Sequence, residues 1–395
     1  MQAAFFCERN DHAYRTTSTK PLLKRSASRP RLCGAPAFAI LHSVALSPHA
    51  SVSRLRNPQA GRALAAFTGG IFLRAPITSK VIVRLTPPCD DALTPFIDKE
   101  TDMPADLHRN RAAIARPGFI RTPDGAELFY RDWRDEGAAG HGKTIVFVAS
   151  YSLPSDMWAY QMLPLARQGF RCVAYDRRGH GRSSDPGGGY DYDTLADDLA
   201  AVIDALDLSD ITLAGYSMGG SEAVRYLTRH GSGRVARLVL IASTLPMLAK
   251  TPDNPDGIDR ACVDAFQNDL MMDYPQWLAD NARPFTGPNA SQAMIDWVRE
   301  MALRTSQQAL YACNETVSRG DFRAELRDID VPTLVVQGDR DVSNPLELTS
   351  QRTARIIPDA RLVVYEGAPH GVFLSDAARL SADLAAFASG TARER

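Results

Sequence analysis

The sequence predicts an α/β fold, with a mostly parallel sheet, helices on both of its faces and an inserted helical cap. Apolar runs such as KTIVFVAS, RCVAYD and PTLVVQG are typical of strands that a parallel sheet buries on both faces. Segments of helical period separate these runs, and that alternation favours a parallel sheet. Between Ser243 and Leu326 strand signals are missing and helical ones continue, which predicts the cap.

The first elements predict a hairpin at one edge of the sheet. Phe119 to Tyr130 reads as strand, turn and strand, with a Thr122-Pro-Asp-Gly125 turn. Proline presets φ in such a turn and glycine tolerates a positive φ. The buried strand KTIVFVAS follows, then the helical segment MWAYQMLPLARQG, the strand RCVAYD and a loop, DRRGHGRSSDPGGGYD.

The next helix is amphipathic. Five apolar side chains between Thr194 and Leu206 share one helical face, and Asp193 is expected as its N-cap. The strands ITLAG and RLVLIAS flank a further helix, the strands PTLVVQG and ARLVVYEG come later, and a C-terminal helix spans about 374–388.

Two regions of the sequence differ in net charge and in hydrophobic periodicity. Residues 1–102 hold 14 Lys/Arg against 7 Asp/Glu and show little periodicity, whereas residues 103–395 are mildly acidic. We expect this leader not to belong to the folded protein, with translation beginning at Met103. A disordered extension and a targeting segment are the alternatives. The α/β domain is expected over residues 103–395, with its cap at about 246–328.

Composition gives no support for nucleic-acid binding, membrane spanning or metal binding. A formal net charge of −1 gives no reason to expect a nucleic-acid partner. No apolar run reaches the roughly 18 residues of a membrane helix. The six cysteines form no C-x-x-C pair and no metal spacing, which favours a reducing, cytoplasmic location and no metal site.

The stretch GYSMG predicts a nucleophile. It matches G-x-S-x-G between a strand and a helix, the context in which that motif places a serine at a sharp turn. Gly215 and Gly219 remove side chains that would collide there. Ser217 is therefore the expected nucleophile, and the N–H of Met218 an expected oxyanion donor.

A serine nucleophile needs a base and an acid, which follow it in the order Ser, Asp/Glu, His in this motif's context. His370 is the one histidine in the loop after the last strand, so it is the expected base. His180 precedes the nucleophile and is expected to bond within its own loop. The segment GDRD offers Asp339 and Asp341 as the acid, with Asp341 preferred.

The second oxyanion donor should come from the loop after KTIVFVAS. The backbone N–H of Tyr151 is the preferred group, with Ser150 and Ser152 as alternatives.

At this point the motifs DRRGHGRSS, AGYSMGG, GDRD and GAPHG resemble the α/β-hydrolase superfamily. They look most similar to bacterial arylesterases and cofactor-free haloperoxidases (perhydrolases), over about Phe119 to Ala388. The resemblance implies Ser217 as nucleophile, Asp341 as acid, His370 as base, and Met218 and Tyr151 as oxyanion donors.

One loop departs from that pattern. Ala149-Ser150 stand where the family usually has His-Gly, and Ser152 where perhydrolase-type members often have proline. The loop is similar to that of enol-lactone hydrolases, and the change counts against peracid formation.

The expected activity is hydrolysis of a small carboxylic ester through an acyl-enzyme, with no metal or organic cofactor. Enol-lactone hydrolysis, C–C bond hydrolysis and perhydrolysis are alternatives on the same triad, and a non-catalytic binding protein is a rival of another class. Four side chains of the cap are expected to line an apolar substrate pocket, or to form the cap's own core: Trp277, Trp297, Phe285 and Met271.

Overall fold

The computed structural model describes residues 118–135 and 142–391, so the expectations for residues 1–102 and for a start at Met103 lie outside the described residues. Its centre is an eight-stranded sheet with the order β1-β2-β4-β3-β5-β6-β7-β8. The strands are β1 (Phe119–Arg121), β2 (Glu127–Trp133), β3 (Thr144–Val148), β4 (Arg171–Tyr175), β5 (Ile211–Tyr216), β6 (Val235–Ile241), β7 (Thr333–Gly338) and β8 (Ala360–Tyr365).

The sheet is parallel except at one edge. β1 pairs antiparallel with β2, and β2 pairs antiparallel with β4, as a hairpin at the sheet edge requires. The remaining strand pairs are all parallel. Parallel strands align their carboxyl ends, so the loops after β3, β5, β7 and β8 meet at one edge.

Helices connect the strands. In chain order they are α1 (Ala159–Arg167), α2 (Tyr192–Ala205), α3 (Met218–His230), α4 (Arg260–Met272), α5 (Tyr274–Thr286), α6 (Gln292–Ala302), α7 (Gln307–Arg319), α8 (Ser350–Ile356), α9 (Val372–Ser375) and α10 (Ala377–Ala388). Short 3₁₀ helices span Ser155–Trp158 and Glu325–Asp328.

The N-cap prediction for α2 was wrong by two residues. The helix begins at Tyr192, and Asp191 is the N-cap, accepting from the backbone N–H of Thr194 at 3.0 Å. Asp193 lies in the first turn instead and pairs with Arg225 on α3. Both aspartates suit a helix start, but Asp191, with φ −75° and ψ 157°, has the extended backbone of an N-cap, whereas Asp193 is already helical.

Two apolar layers cover the sheet, because successive side chains of a strand point to opposite faces. Val146 and Leu213 join one cluster, which includes Leu199 of α2. Phe147 joins the other cluster, which includes Leu384 of α10. β3 and β5 are buried along their whole lengths, as their continuous apolar sequences predict.

The cap consists of α4 to α7, which lie between the end of β6 and the start of β7. Its helices place apolar side chains such as Leu270, Leu278 and Val298 in the same cluster as one face of the sheet. Within the described part of the chain, no helix is both long and apolar enough to cross a membrane.

Candidate active site

Ser217 lies at a sharp turn between β5 and α3. Its φ of 52° and ψ of −118° are unusual for a residue with a side chain, and such strain costs of order 1–3 kcal/mol. A Cβ on Gly215 would lie 2.4 Å from the carbonyl oxygen of Gly219, and one on Gly219 would lie 2.6 Å from that of Ala149. The two glycines therefore allow the backbone approach that holds the serine at the apex of the turn.

His370 lies in the loop after β8 and pairs with Asp341, which follows β7. The distance from His370 Nδ1 to Asp341 Oδ2 is 2.7 Å, and both side chains are buried. A carboxylate only accepts, so Nδ1 carries the proton and Nε2 has a free lone pair when the ring is neutral. That tautomer is the one a general base for a serine requires.

Backbone and side-chain donors fix the Asp341 carboxylate. Its Oδ1 accepts from the N–H groups of Ser343 at 2.9 Å and Asn344 at 2.8 Å. Its Oδ2 also accepts from Nε2 of Gln337 at 3.2 Å. These donors orient the carboxylate toward His370 and stabilise its charge.

Asp339, the alternative acid, has a different environment. Its Oδ1 accepts from the backbone N–H of Gly367 at 2.7 Å, and the residue is exposed. It joins the loops after β7 and β8.

Ser217 and His370 line one cavity of about 230 Å³. Among the described residues, no hydrogen bond joins Ser217 Oγ to His370; the contact to Oγ comes from Asn344 Nδ2 at 3.5 Å. Catalytic hydrogen bonds often tighten only when substrate is bound, so this separation is compatible with proton transfer between the two residues.

The backbone around the serine offers hydrogen-bond donors. Met218 is the first residue of α3, where an N–H has no partner within its own helix. The loop after β3 lines the cavity with Ser150, Tyr151 and Ser152, but the N–H of Ser150 already donates to Sδ of Met157 at 3.3 Å. Ser150 therefore fits the donor role poorly, and Tyr151 and Ser152 fit it better.

Sequence reasoning missed the group that holds this loop. Arg177 donates from Nη2 to the carbonyl oxygen of Ala149 at 2.8 Å and from Nη1 to that of Ser150 at 3.2 Å. It also forms an ion pair with Glu222 of α3 at 2.8 Å, with both side chains almost fully buried. Burial alone would lower the pKa of Arg177, but the charge of Glu222 raises it above the usual value. The one signal in the sequence is an arginine directly after a buried strand.

His180 bonds within its own loop, as expected. Its Nδ1 lies 2.9 Å from the carbonyl oxygen of Arg178, and the ring is fully buried. Burial, and secondly the charge of Arg177, lowers the pKa of His180 to about 3. It does not line the cavity that contains Ser217.

The cap lines the cavity with two of the four expected side chains. Trp277 and Phe285 line it, and Phe285 also contacts the His370 ring, with centroids 5.4 Å apart. The pocket prediction was wrong for Trp297, which packs its ring against Tyr160, and for Met271, which is 45% exposed. Trp297 is half-buried and packs against the core beside Val298, which is the alternative expected for it, whereas Met271 follows the buried Leu270 by one helical step and faces solvent.

The comparisons with known proteins agree with this fold. A family model described as the alpha/beta hydrolase fold matches residues 143–377. A non-heme haloperoxidase of Rhodococcus erythropolis is 40% identical over 276 residues, covering 68% of this chain and 98% of that protein. A bifunctional esterase/perhydrolase of Acinetobacter calcoaceticus is 36% identical over 277 residues, covering 68% of this chain and 99% of its own.

Solved structures give the same result. The crystal structure of a bromoperoxidase from Bacillus anthracis has a TM-score of 0.64 at 30% identity, covering 69% of this chain and 99% of its own. An esterase from Exiguobacterium antarcticum has a TM-score of 0.65, also at 30% identity, with 69% and 98% covered. The resemblance inferred from the motifs is confirmed: the chain belongs to the α/β-hydrolase family of enzymes.

Proposed function

We propose that this protein is a serine hydrolase that cleaves a small carboxylic ester through an acyl-enzyme. One observation carries the proposal: Ser217, at a strained turn, shares a cavity with His370, whose Nδ1 is paired with the buried Asp341. The relatives named as esterases support the same activity.

In the first half of the reaction, Ser217 Oγ attacks the ester carbonyl carbon and His370 Nε2 takes its proton. The carbonyl oxygen becomes negative and accepts from the N–H groups of Met218 and Tyr151. Each such donor typically contributes about 2.7–4 kcal/mol to stabilising the transition state. Protonated His370 then gives its proton to the departing alkoxide, which leaves as the alcohol.

In the second half, His370 takes a proton from water while the water oxygen attacks the acyl carbon. The tetrahedral intermediate collapses, the bond from carbon to Ser217 Oγ breaks, and Oγ regains a proton from His370. Asp341 holds the imidazole in one orientation and stabilises its positive charge in both halves.

The cavity favours a small, apolar acyl or aryl group. Its volume of about 230 Å³ is below the roughly 300–1,000 Å³ of pockets for drug-sized ligands. Phe285 lies beside the histidine, with Trp277, Leu278 and Val298 also at the wall.

A second candidate is enol-lactone hydrolysis, favoured by the loop Ala149-Ser150. The N–H of Ser150 bonds to Met157 and its carbonyl to Arg177, so the loop is held in one shape without the usual His-Gly. Perhydrolysis, in which hydrogen peroxide replaces water in the second half, is a third outcome, suggested by the relatives named haloperoxidase and perhydrolase.

The test is turnover of p-nitrophenyl esters of rising acyl length, measured on the full chain and on Ser217→Ala. We expect turnover that is highest for short acyl groups and is lost in Ser217→Ala. A matched control is Ser232→Ala, which removes a hydroxyl bonded to Asp330 on the surface and should leave turnover unchanged.

Parallel assays with an enol lactone, and with acetate plus hydrogen peroxide, separate the other two activities. A folded wild-type protein that turns over none of the esters would overturn the ester proposal. Ligand binding that persists without turnover in any assay would indicate a binding protein.

A further inference from the structure

Asn344 is a residue of the site that the proposed triad does not use. It follows Asp341 by three positions, is 4% exposed, and lines the cavity with Ser217 and His370. Its place in the chain gave no signal of a role beyond the turn after β7.

Its contacts connect the acid to the nucleophile. The backbone N–H donates to Asp341 Oδ1 at 2.8 Å, while the side-chain Nδ2 lies 2.7 Å from the carbonyl oxygen of Ala242 and 3.5 Å from Ser217 Oγ. The carbonyl of Ala242 only accepts, which assigns the NH₂ group, and not the amide oxygen, to this side.

The side chain is held in this orientation. One N–H of Nδ2 is used by Ala242, and the backbone carbonyl of Asn344 accepts from Nε2 of Gln337. The second N–H is the group that faces Ser217 Oγ, which lies 3.5 Å from Nδ2, beyond the roughly 2.7–3.2 Å of an ordinary N–H···O bond. A donor already fixed in a buried site stabilises a developing negative charge without reorganising.

We propose that Asn344 is a further catalytic residue, whose carboxamide N–H stabilises Ser217 Oγ when it leaves the acyl carbon. The proposal rests on the proposed acyl-enzyme mechanism. The Asn344 N–H stabilises negative charge on Oγ itself, whereas the N–H groups of Met218 and Tyr151 stabilise negative charge on the carbonyl oxygen of the substrate.

The two halves of the reaction should respond differently. During acylation, Oγ loses its proton to His370 and forms the bond to carbon. A hydrogen bond donated to Oγ makes the proton loss easier but makes Oγ a weaker nucleophile, so the two effects offset each other. During deacylation, the bond from carbon to Oγ breaks, Oγ keeps the electron pair and takes the proton from His370. A donor on Oγ helps this departure directly.

The experiment measures both halves of the reaction in Asn344→Ala and in Asn344→Leu, whose side chain is close to asparagine in shape and has no N–H. The assay uses saturating p-nitrophenyl acetate. Intact-protein mass spectrometry of acid-quenched samples measures the fraction of acylated enzyme, and this fraction together with kcat gives the acylation and deacylation rates. We expect deacylation to fall about three- to tenfold, as for loss of one ordinary hydrogen bond, and acylation to change less than twofold. The acylated fraction then rises, and kcat and KM fall together while kcat/KM stays nearly constant.

The matched control is Asn289→Ala, which removes an exposed amide outside the cavity and should leave both rates unchanged. An unchanged deacylation rate in the two Asn344 variants would overturn the inference, and so would an equal fall of both rates, which is what a displaced serine or acid would give. Thermal unfolding checks that the variants fold, and the leucine variant serves if the smaller alanine destabilises the loop. If the wild-type chain forms no acyl-enzyme with any ester, the proposed function fails first.

Discussion

Replacing Asp341 by asparagine should disable the base without changing the shape of the site. Oδ1 of Asp341 accepts from two backbone N–H groups, at 2.9 Å and 2.8 Å, so the amide oxygen of the asparagine must stay there. The new NH₂ group then faces Nδ1 of His370 and Nε2 of Gln337, where the carboxylate oxygen accepted at 2.7 Å and 3.2 Å.

The magnitude follows from this geometry. Facing an NH₂ group, His370 Nδ1 must accept, so its proton moves to Nε2, which can no longer take the proton of Ser217. A wrong tautomer of this kind costs about 10⁴ in kcat, or about 5.4 kcal/mol at 1.36 kcal/mol per tenfold. The amide also faces the donor Gln337 Nε2, and one unsatisfied buried contact should lower the free energy of unfolding by about 1–3 kcal/mol.

The assay is kcat and KM for p-nitrophenyl acetate, with denaturant unfolding of the same samples. Asp339→Asn is the matched control, because the asparagine can still accept from Gly367, and kcat should stay within about threefold of wild type. If Asp341→Asn kept more than a tenth of the wild-type kcat while Asp339→Asn abolished it, the assignment of the acid would be wrong.

Three further predictions concern the surroundings of the site. Arg177→Met should lower the free energy of unfolding by about 3–5 kcal/mol, because it leaves the Glu222 carboxylate buried without its cationic partner. The double variant with Glu222→Gln should recover part of this loss in denaturant unfolding, and no recovery would contradict the reasoning. Trp277→Ala should shift the preferred substrates to esters with longer acyl chains, whereas Trp297→Ala, outside the cavity, should not. An equal shift in both variants would refute the conclusion that Trp277 lines the substrate cavity and Trp297 does not. Stability should fall as the pH drops from about 6.5 toward 3, because His180 stays neutral when folded, with a pKa of about 3, but binds a proton when unfolded. His180→Gln should flatten this pH dependence of unfolding, and an equal slope in both proteins would assign it to other groups.

Local patterns in the sequence predicted the sheet, the hairpin edge and the family. They also predicted a serine between Gly215 and Gly219, because a strand, a tight turn and a helix each leave a signal within a few residues. Chain order then led to His370 and Asp341, and the structure places these two side chains in contact.

The other contacts of the site depended on tertiary structure. Arg177 reaches the carbonyls of Ala149 and Ser150 across 28 and 27 positions, and Asn344 reaches Ser217 across 127. Such pairs leave no periodic or spacing signal, because only the packing of loops at one sheet edge brings them together.

In the cap, too, some features were predictable from the sequence and others depended on tertiary structure. Its helices and aromatic residues were evident from the sequence, but the side of each helix that faces the cavity was not. Trp277 lines the cavity and Trp297 packs on Tyr160, although both are tryptophans on amphipathic helices. The sequence by itself therefore determined the fold and pointed to the candidate catalytic residues, wherever local signals mark them. The relative packing of the cap and the sheet decided the rest: which aromatic rings line the cavity, and which hydrogen-bond donors contact the serine and the loop after β3.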